Sequence, residues 1–492
     1  MHILFGEKKR AAFIIGIFFF LFFWIVASQT LDSDFGFHVR LGQLIVTKGI
    51  PYFDPFSYTM PSYPFVDHEW LTDILISFGY QTVGIPVLTI FFVLLSMVAF
   101  GIQFIFAKSK WAILPFVLSM GAVVNYLGIR PQVFSWVLFS VFLVVLLSEN
   151  LWHRLRFLLP VLLLLWVNVH GSFALGLVAV FLFVLARSLQ HKKIVWSEWA
   201  VVFFCLLATF VNPYGFRVWW EIWMQMTDSN LHFAIGEWLP AFFVFNLDFL
   251  MLVVLSLVLL FRYLRKYSYA EVSLYILLLA LGIDSNRHIP FWLLLVIPVA
   301  AKGLAFFYKD IQEISFAQKR LLRAYFLITV CVTGILSYQF IQASFYRFYS
   351  PQLPYPERAI GFLKQHPSPG NYFAEYVFGG YLDWQLPEKK VFIDGRMPSW
   401  RRSSAPSGES LNAFADYDKI MSADSNLPYE FMKYHIDTVL LTGEHNGKLT
   451  DFFDSLSPQL ADTSKQRLEK RLEHMGMKVV YKDNFYMIYR KK

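Results

Sequence analysis

The chain has only two cysteines in 492 residues, Cys205 and Cys331, and both lie inside apolar runs. A disulfide framework and a cysteine-built metal centre are therefore excluded. Charge is also scarce. Asp, Glu, Lys and Arg make up 16% of the chain, where a soluble globular protein carries roughly a quarter. There is no phosphate-binding glycine loop, no nucleophile elbow and no zinc spacing, so soluble ATPase or hydrolase chemistry has no support. No internal repeat occurs, and no low-complexity tract beyond the apolar runs themselves.

What is present is apolar. The chain is 57% hydrophobic and 19% aromatic, with 53 Phe, and its mean hydropathy is positive. That composition belongs to an integral membrane protein. The formal net charge of +8 comes from short basic clusters between apolar runs, which is how topology signals are arranged, so no nucleic-acid surface is expected. Candidate spans fall at 11–29, 85–106, 112–127, 132–148, 156–168, 172–187, 198–212, 241–261, 270–284, 289–307 and 321–343, about eleven in all, several of them shorter than the ~20 residues of an upright crossing. The apolar run Ala11–Ser28 exceeds the roughly 7–15 residues of a cleaved leader, so it reads as a retained first helix.

Lys and Arg give the expected orientation. Lys8-Lys9-Arg10, Lys108/Lys110, Arg154/Arg156, Arg187/Lys192/Lys193, Arg262/Arg265/Lys266 and Lys309/Lys319/Arg320 fall in alternate connections, which the positive-inside rule assigns to the cytoplasm. The parity depends on 156–187. One helix there would run roughly 48 Å across a core of about 30 Å, with Val167-Asn168-Val169-His170-Gly171 in its middle. A hairpin is the better reading. The N-terminus is then cytoplasmic. Asp32–Glu69, Arg130-Pro131, Asn168/His170, Asn212–Trp238 and Asp284–His288 all fall on the outer side, where the unusual polar residues converge.

The expected organisation is a helical membrane domain over 1–349, with a first outer loop at 30–84, and an outer soluble α/β domain over 350–492. Helices are expected at Pro356–Gln365, Leu411–Met421 and Ser464–Met475. Strands are expected at Asn371–Ala374, Tyr381–Trp384, Val391–Ile393, Thr438–Leu441, Lys478–Tyr481 and Tyr486–Tyr489, and a loop at Arg401–Ser410.

The first loop carries the chemistry. Asp32 and Asp34 leave the first span two residues apart, a spacing that serves a metal or a base with an orienting partner. His38 lies four residues beyond Asp34, on the same face if helix continues. Asp54 reads as a turn cap before Pro55, and Asp67 as the N-cap of an amphipathic stretch from Trp70 that Gly84 and Pro86 break. His68 and Glu69 are left to act as ligands or as a substrate clamp. Elsewhere, Arg287 with His288 suits a phosphate, because a guanidinium matches its geometry with paired donors. A salt bridge from Arg287 to Asp284 is the plain alternative. Arg130, His170 and Arg217 are weaker versions of the same case. Trp219, Trp220, Trp223 and Trp238, which flank Glu221 and Glu237, read as an interfacial belt. Asp394-Gly395-Arg396 is a site or an ordinary turn.

Asp32-Ser33-Asp34, His38, Gly42, Asp54-Pro55-Phe56-Ser57 and Asp67-His68-Glu69-Trp70 together resemble a bacterial branch of the GT-C glycosyltransferase superfamily, polytopic enzymes related to the protein mannosyltransferases. Gly379-Gly380-Tyr381 and Phe392–Arg396 resemble the outer domain of members of that branch. The resemblance implies a polytopic GT-C-like body with an extracytoplasmic α/β domain, in the bacterial plasma membrane. It implies hexosyl or pentosyl transfer from a polyprenyl-phosphate-linked sugar to a glycan, lipid or protein acceptor in building a cell-envelope glycan, with no nucleotide at the outer face. The catalytic acid maps to Asp34, with Asp32 as second choice. His38, His68, Glu69, Arg130, His170, Arg287 and His288 are the candidates for holding substrate and phosphate. A divalent metal would draw on Asp32, Asp34, His68 and Glu69. Many mannosyltransferase relatives carry Asp-Glu in this loop. This chain has Asp-Ser-Asp, which leaves the base and the metal open. The rival readings are a flippase for a lipid-linked glycan and a non-enzymatic assembly factor.

Overall fold

The computed structural model describes residues 16–28, 31–228, 231–232, 235–243, 246–312, 355–423, 426–443 and 462–491. The span expected at 321–343 lies outside them, as does Cys331. The chain divides into two compact units. The first takes the described parts of Met1–Asp32, His68–Ile222 and Asp228–Ile341. The second takes Ser33–Asp67, Trp223–Thr227 and the described part of Gln342–Lys492.

The first unit is helical. Four stretches are long and apolar enough to cross a membrane: Trp70–Phe106, Glu149–Val169, Phe173–His191 and Asn286–Gln312. Shorter apolar helices are Gly16–Ser28 (α1), Lys110–Tyr126, Gln132–Leu147 and Trp196–Ala208, joined by Leu247–Arg262 and Tyr269–Asp284. Trp70–Phe106 (α3, following Phe35–Lys48, α2, in the chain) is two helices joined at a kink. Gly84 there takes φ +74° and Pro86 follows. That is the break the sequence implied, since glycine tolerates this backbone and proline cannot continue the ladder. The stretch 156–187 is a hairpin of Leu159–Val169 and Phe173–His191. Asn168 holds the turn by donating to the carbonyls of Leu164 (2.8 Å) and Val211 (2.9 Å). Ile289–Gln312 runs through the centre of the unit, with every residue from Ile289 to Ile297 buried. A helix apolar on all sides is stable only when neighbours enclose it.

The second unit contains a four-stranded mixed sheet in the order β1-β2-β4-β3, made of Asn371–Ala374 (β1), Ile436–Thr442 (β2), Met477–Lys482 (β3) and Tyr486–Lys491 (β4). β1 and β2 are parallel, and the other pairings are antiparallel. Asp483 shapes the β3–β4 turn by accepting the backbone N–H groups of Phe485 and Tyr486, each at 2.8 Å. Glu357–Gln365, Ala413–Met421 and Asp462–His474 are helices, close to the expected bounds. Ile360, Leu363, Tyr381, Leu382, Leu440 and Ile488 pack one core.

Two expected strands are absent. Tyr381–Trp384 lies in a helix, Gly379–Gln385, because Gly379-Gly380 brings this segment against another helix, Phe35–Lys48 (α2). A Cβ on Gly36 would strike the Gly380 carbonyl, and one on Gly380 would lie 2.6 Å from the Ser33 carbonyl. Val391 makes a single parallel bridge to Ser57, and no strand forms at Val391–Ile393. The helix Leu427–Lys433 was not anticipated. It is seven residues long with proline in its first turn, too short to show a period.

Candidate active site

In the first unit, polar residues from separate connections meet in two groups. Asp32, just past α1, pairs with Arg130 Nε at 2.5 Å. Arg130 also pairs with Glu237. The Glu237 carbonyl in turn accepts the backbone N–H of Arg287 at 3.0 Å, and the Leu239 carbonyl accepts that of Asn286 at 3.0 Å. Four connections widely spaced in the chain are thus tied in series.

The guanidinium of Arg287 lies over the Trp238 ring, 5.1 Å from its centroid. Arg287 forms no salt bridge among the described residues, so its expected alternative partner Asp284 does not engage it. Beside it, both side-chain polar atoms of Asn286 and Nδ1 of His288 are enclosed with no hydrogen-bond partner among the described residues. Asn286 is 3% exposed. Each enclosed, unpaired polar group costs about 1–3 kcal/mol. Such a group is kept where a ligand, ion or water supplies the missing bond.

The second group centres on Glu69. Its Oε2 lies 3.8 Å from His170 Nε2 and 4.0 Å from His68 Nε2. His170 is buried, and its Nδ1 accepts the backbone N–H of Ser172 at 3.1 Å. Nδ1 therefore carries no proton, and Nε2–H faces Glu69. Ser135 Oγ, which accepts the Trp166 indole N–H at 2.7 Å, lies 3.0 Å from the same Nδ1 and donates to it. Trp166, Ser135, His170 and Glu69 thus form a directed chain. The N-cap of α3 is Glu69, and it makes no side-chain cap bond. The N-cap position expected of Asp67 is thus occupied by Glu69. Asp73, buried and one turn along α3 from Glu69, went unremarked in the sequence because it sits within an amphipathic stretch. Both groups adjoin the start of the helix Gln132–Leu147, since Arg130 precedes it and Ser135 lies in its first turn.

In the second unit, Asp34 is the N-cap of α2, and its backbone carbonyl accepts the N–H of His38 at 3.2 Å. His38 is buried. Asp54 caps its turn as expected, accepting Phe56 N–H (3.2 Å) and Ser57 N–H (3.0 Å), and it also pairs with Arg396 at 3.0 Å. Arg396 is held by Asp394 as well. Burial opposes the charge on Arg396, but the attraction of Asp394 and Asp54 outweighs it and holds the guanidinium protonated. Asp383 is buried against the same group. Burial first, then the charges of Asp394 and Asp54, push its carboxyl well above the usual range.

The sequence missed Glu237 and Trp238. The run of tryptophans around them reads as a belt, and Trp220 and Trp223 are indeed exposed, but Trp238 is buried beneath Arg287. No spacing signal marks the difference. Arg217 lies at the start of the helix Arg217–Met226.

No family model matches the chain, and no curated protein sequence matches it. Solved structures do. An oligosaccharyltransferase from Archaeoglobus fulgidus, tethered to an acceptor peptide containing the NVT sequon, superposes with a TM-score of 0.52 at 12% identity, covering 92% of this chain and 72% of that one. The archaeal oligosaccharyltransferase AglB from the same organism, in complex with an inhibitory peptide and a dolichol-phosphate, gives 0.50 at 11% identity, covering 97% and 74%. ArnT from Cupriavidus metallidurans, bound to undecaprenyl phosphate, gives 0.49 at 12% identity over 98% of both chains. At such identities the likeness speaks to fold alone, and the chain shares the fold of these two oligosaccharyltransferases.

Proposed function

We propose that the protein transfers a sugar from a polyprenyl-phosphate donor to an acceptor hydroxyl at the outer face of the bacterial plasma membrane. The observation that carries this reading is the Asn286-Arg287-His288 connection. An arginine without a salt bridge there sits beside enclosed polar atoms without partners, which is what a phosphate-bearing ligand would complete. The fold supports the reading, since AglB, which shares it, was captured with a dolichol-phosphate.

In the proposed reaction the Asp34 carboxylate takes the proton from the acceptor hydroxyl. The acceptor oxygen bonds to the anomeric carbon, the bond from that carbon to the lipid phosphate breaks, and its electron pair leaves on the phosphate oxygen. A positioned base contributes about 10²–10⁴-fold. Arg287 and His288 bind the departing phosphate, where the preorganised positive charge of Arg287 lowers the barrier. Arg130 acts differently. It is already committed to Asp32 and Glu237, so its role is to hold the connections around Arg287. His170 orients Glu69 through Nε2–H. Where a divalent cation is used, Glu69 and Asp73, one turn apart at the start of α3, are the carboxylates that would hold it, and it would supply positive charge. Asp32 is the weakest of the expected ligands because Arg130 occupies its carboxylate.

The identity of the sugar, hexose or pentose, and the acceptor belong to experiment. Purified protein, given radiolabelled polyprenyl-phosphate sugars and membrane acceptors, should release polyprenyl phosphate as glycan forms. Movement of the lipid across the bilayer without cleavage would overturn the transferase reading in favour of a flippase.

A further inference from the structure

We infer that the Asp394-Gly395-Arg396 turn positions the first loop and its Asp34 carboxylate. The inference rests on the proposed role of Asp34 for its kinetic consequences, though not for its structural ones.

The first loop has little structure of its own after α2. Between Gly49 and Glu69 it forms turns and no regular element. What fixes it comes from more than 300 residues further along the chain. Val391 N–H donates to the Phe56 carbonyl and Tyr58 N–H to the Val391 carbonyl, each at 3.0 Å. Thr59 Oγ1 donates to the Phe392 carbonyl at 2.7 Å. Ser62 Oγ donates to Glu409 (2.7 Å) and accepts from Arg402 (2.9 Å).

At the centre is Arg396. Asp394 Oδ1 accepts both its backbone N–H and its Nε–H, each at 2.9 Å, and Asp394 Oδ2 accepts Nη2–H at 2.5 Å. The same Nη2 reaches Asp54 at 3.0 Å. The side chains of Asp54 and Asp394 are 0% exposed and that of Arg396 is 5% exposed. Phe56 and Phe65 from the loop lie against the guanidinium at 4.7 and 5.1 Å. A planar fork meeting two carboxylates and aromatic faces is a geometry lysine cannot reproduce.

Gly395, between these two residues, faces Asp34. A Cβ built on Gly395 would fall within the Asp34 carboxylate. Gly395 has no positive φ, so alanine there is disfavoured by this contact and not by backbone strain. The turn therefore does two things at once. Arg396 anchors the loop through Asp54, and Gly395 leaves the space that the Asp34 carboxylate fills. Gly395 and Arg396 are positioning residues, acting through Asp34 and Asp54.

The test uses the full-length protein in detergent, comparing Gly395→Ala, Arg396→Lys, Asp34→Asn and the Gly395→Ala/Asp34→Asn double variant. A displaced reacting group costs on the order of 10²-fold. Gly395→Ala should lower kcat by about that factor with the donor KM within about twofold of wild type, and the double variant should be no slower than Asp34→Asn alone. Arg396→Lys should raise amide hydrogen exchange across 50–67 while α3 stays protected. Wild-type kcat in Gly395→Ala, with Asp34→Asn inactive, would overturn the inference. If Asp34→Asn keeps full activity, the base assignment fails, and exchange alone decides the positioning: increased exchange at 50–67 in Gly395→Ala and Arg396→Lys sustains it, and unchanged exchange overturns it.

Discussion

Asn286→Leu should move stability and donor affinity in opposite directions. Asn286 is enclosed, with neither side-chain polar atom paired among the described residues. Its backbone N–H is satisfied by the Leu239 carbonyl, so the substitution leaves the main-chain tie between the two connections in place. Leucine is close in volume and removes both unpaired groups. Relief of even one is worth about 1–3 kcal/mol, part of which a misfit of the branched side chain would consume. If the amide instead completes a phosphate site, its loss removes a hydrogen bond to a charged ligand, about 1.5–3 kcal/mol. That corresponds to a donor affinity weaker by about 10- to 150-fold. The assay pairs thermal unfolding in detergent, with and without polyprenyl phosphate, with the donor KM. The expected result is a higher midpoint without ligand, a smaller ligand-induced shift, and a raised KM. A lower midpoint with unchanged KM would refute the reasoning, because Asn286 would then be a structural residue with partners of its own.

Other consequences are open to measurement. Asp32 is enclosed where it meets Arg130, whereas Glu237 is 42% exposed. A double-mutant cycle of Asp32→Asn with Arg130→Gln should therefore give a coupling of about 1.5–3 kcal/mol, and one with Glu237→Gln less than about 1. Equal couplings would contradict the burial argument. Ser135→Ala strands the Trp166 indole N–H in a buried position and should destabilise by about 1–3 kcal/mol, and a midpoint unchanged from wild type would count against the Trp166–Ser135–His170 chain. Asp383 has its carboxyl raised in the folded state, chiefly by burial. The stability it contributes is fully present below its ordinary value of 3.8 and is lost as pH rises through the higher folded value. Asp383→Asn, which cannot ionise, should flatten that fall, so the variant gains on wild type as pH rises. Parallel stability–pH curves would contradict this assignment.

Much of the helical unit could be read from sequence because its signals are local. Gly84 and Pro86 break a helix wherever they occur, and His170-Gly171 interrupts a run too long for one crossing. Asp54 as a turn cap was legible for the same reason, since its acceptors lie two and three residues away. What escaped depends on residues far apart in the chain. Tyr381–Trp384 alternates like a strand, yet Gly380 lets it pack as a helix against α2. Glu237 carries no motif, and its pairing with Arg130 arises only when two distant connections meet. The Asp-Gly-Arg segment looked like a site or a turn. It proves to be a turn whose arginine is committed to Asp54 and Asp394, which no spacing between 54 and 396 could reveal.

The proposed reaction makes Asp34 the base of a lipid-phosphate-dependent glycosyl transfer. The measurement that tests it most directly is single-turnover release of polyprenyl phosphate from a matched sugar donor by the purified Asp34→Asn protein, beside wild type of equal folding. The expected rate is lower by about 10²–10⁴-fold with donor binding retained. Release at the wild-type rate would contradict it.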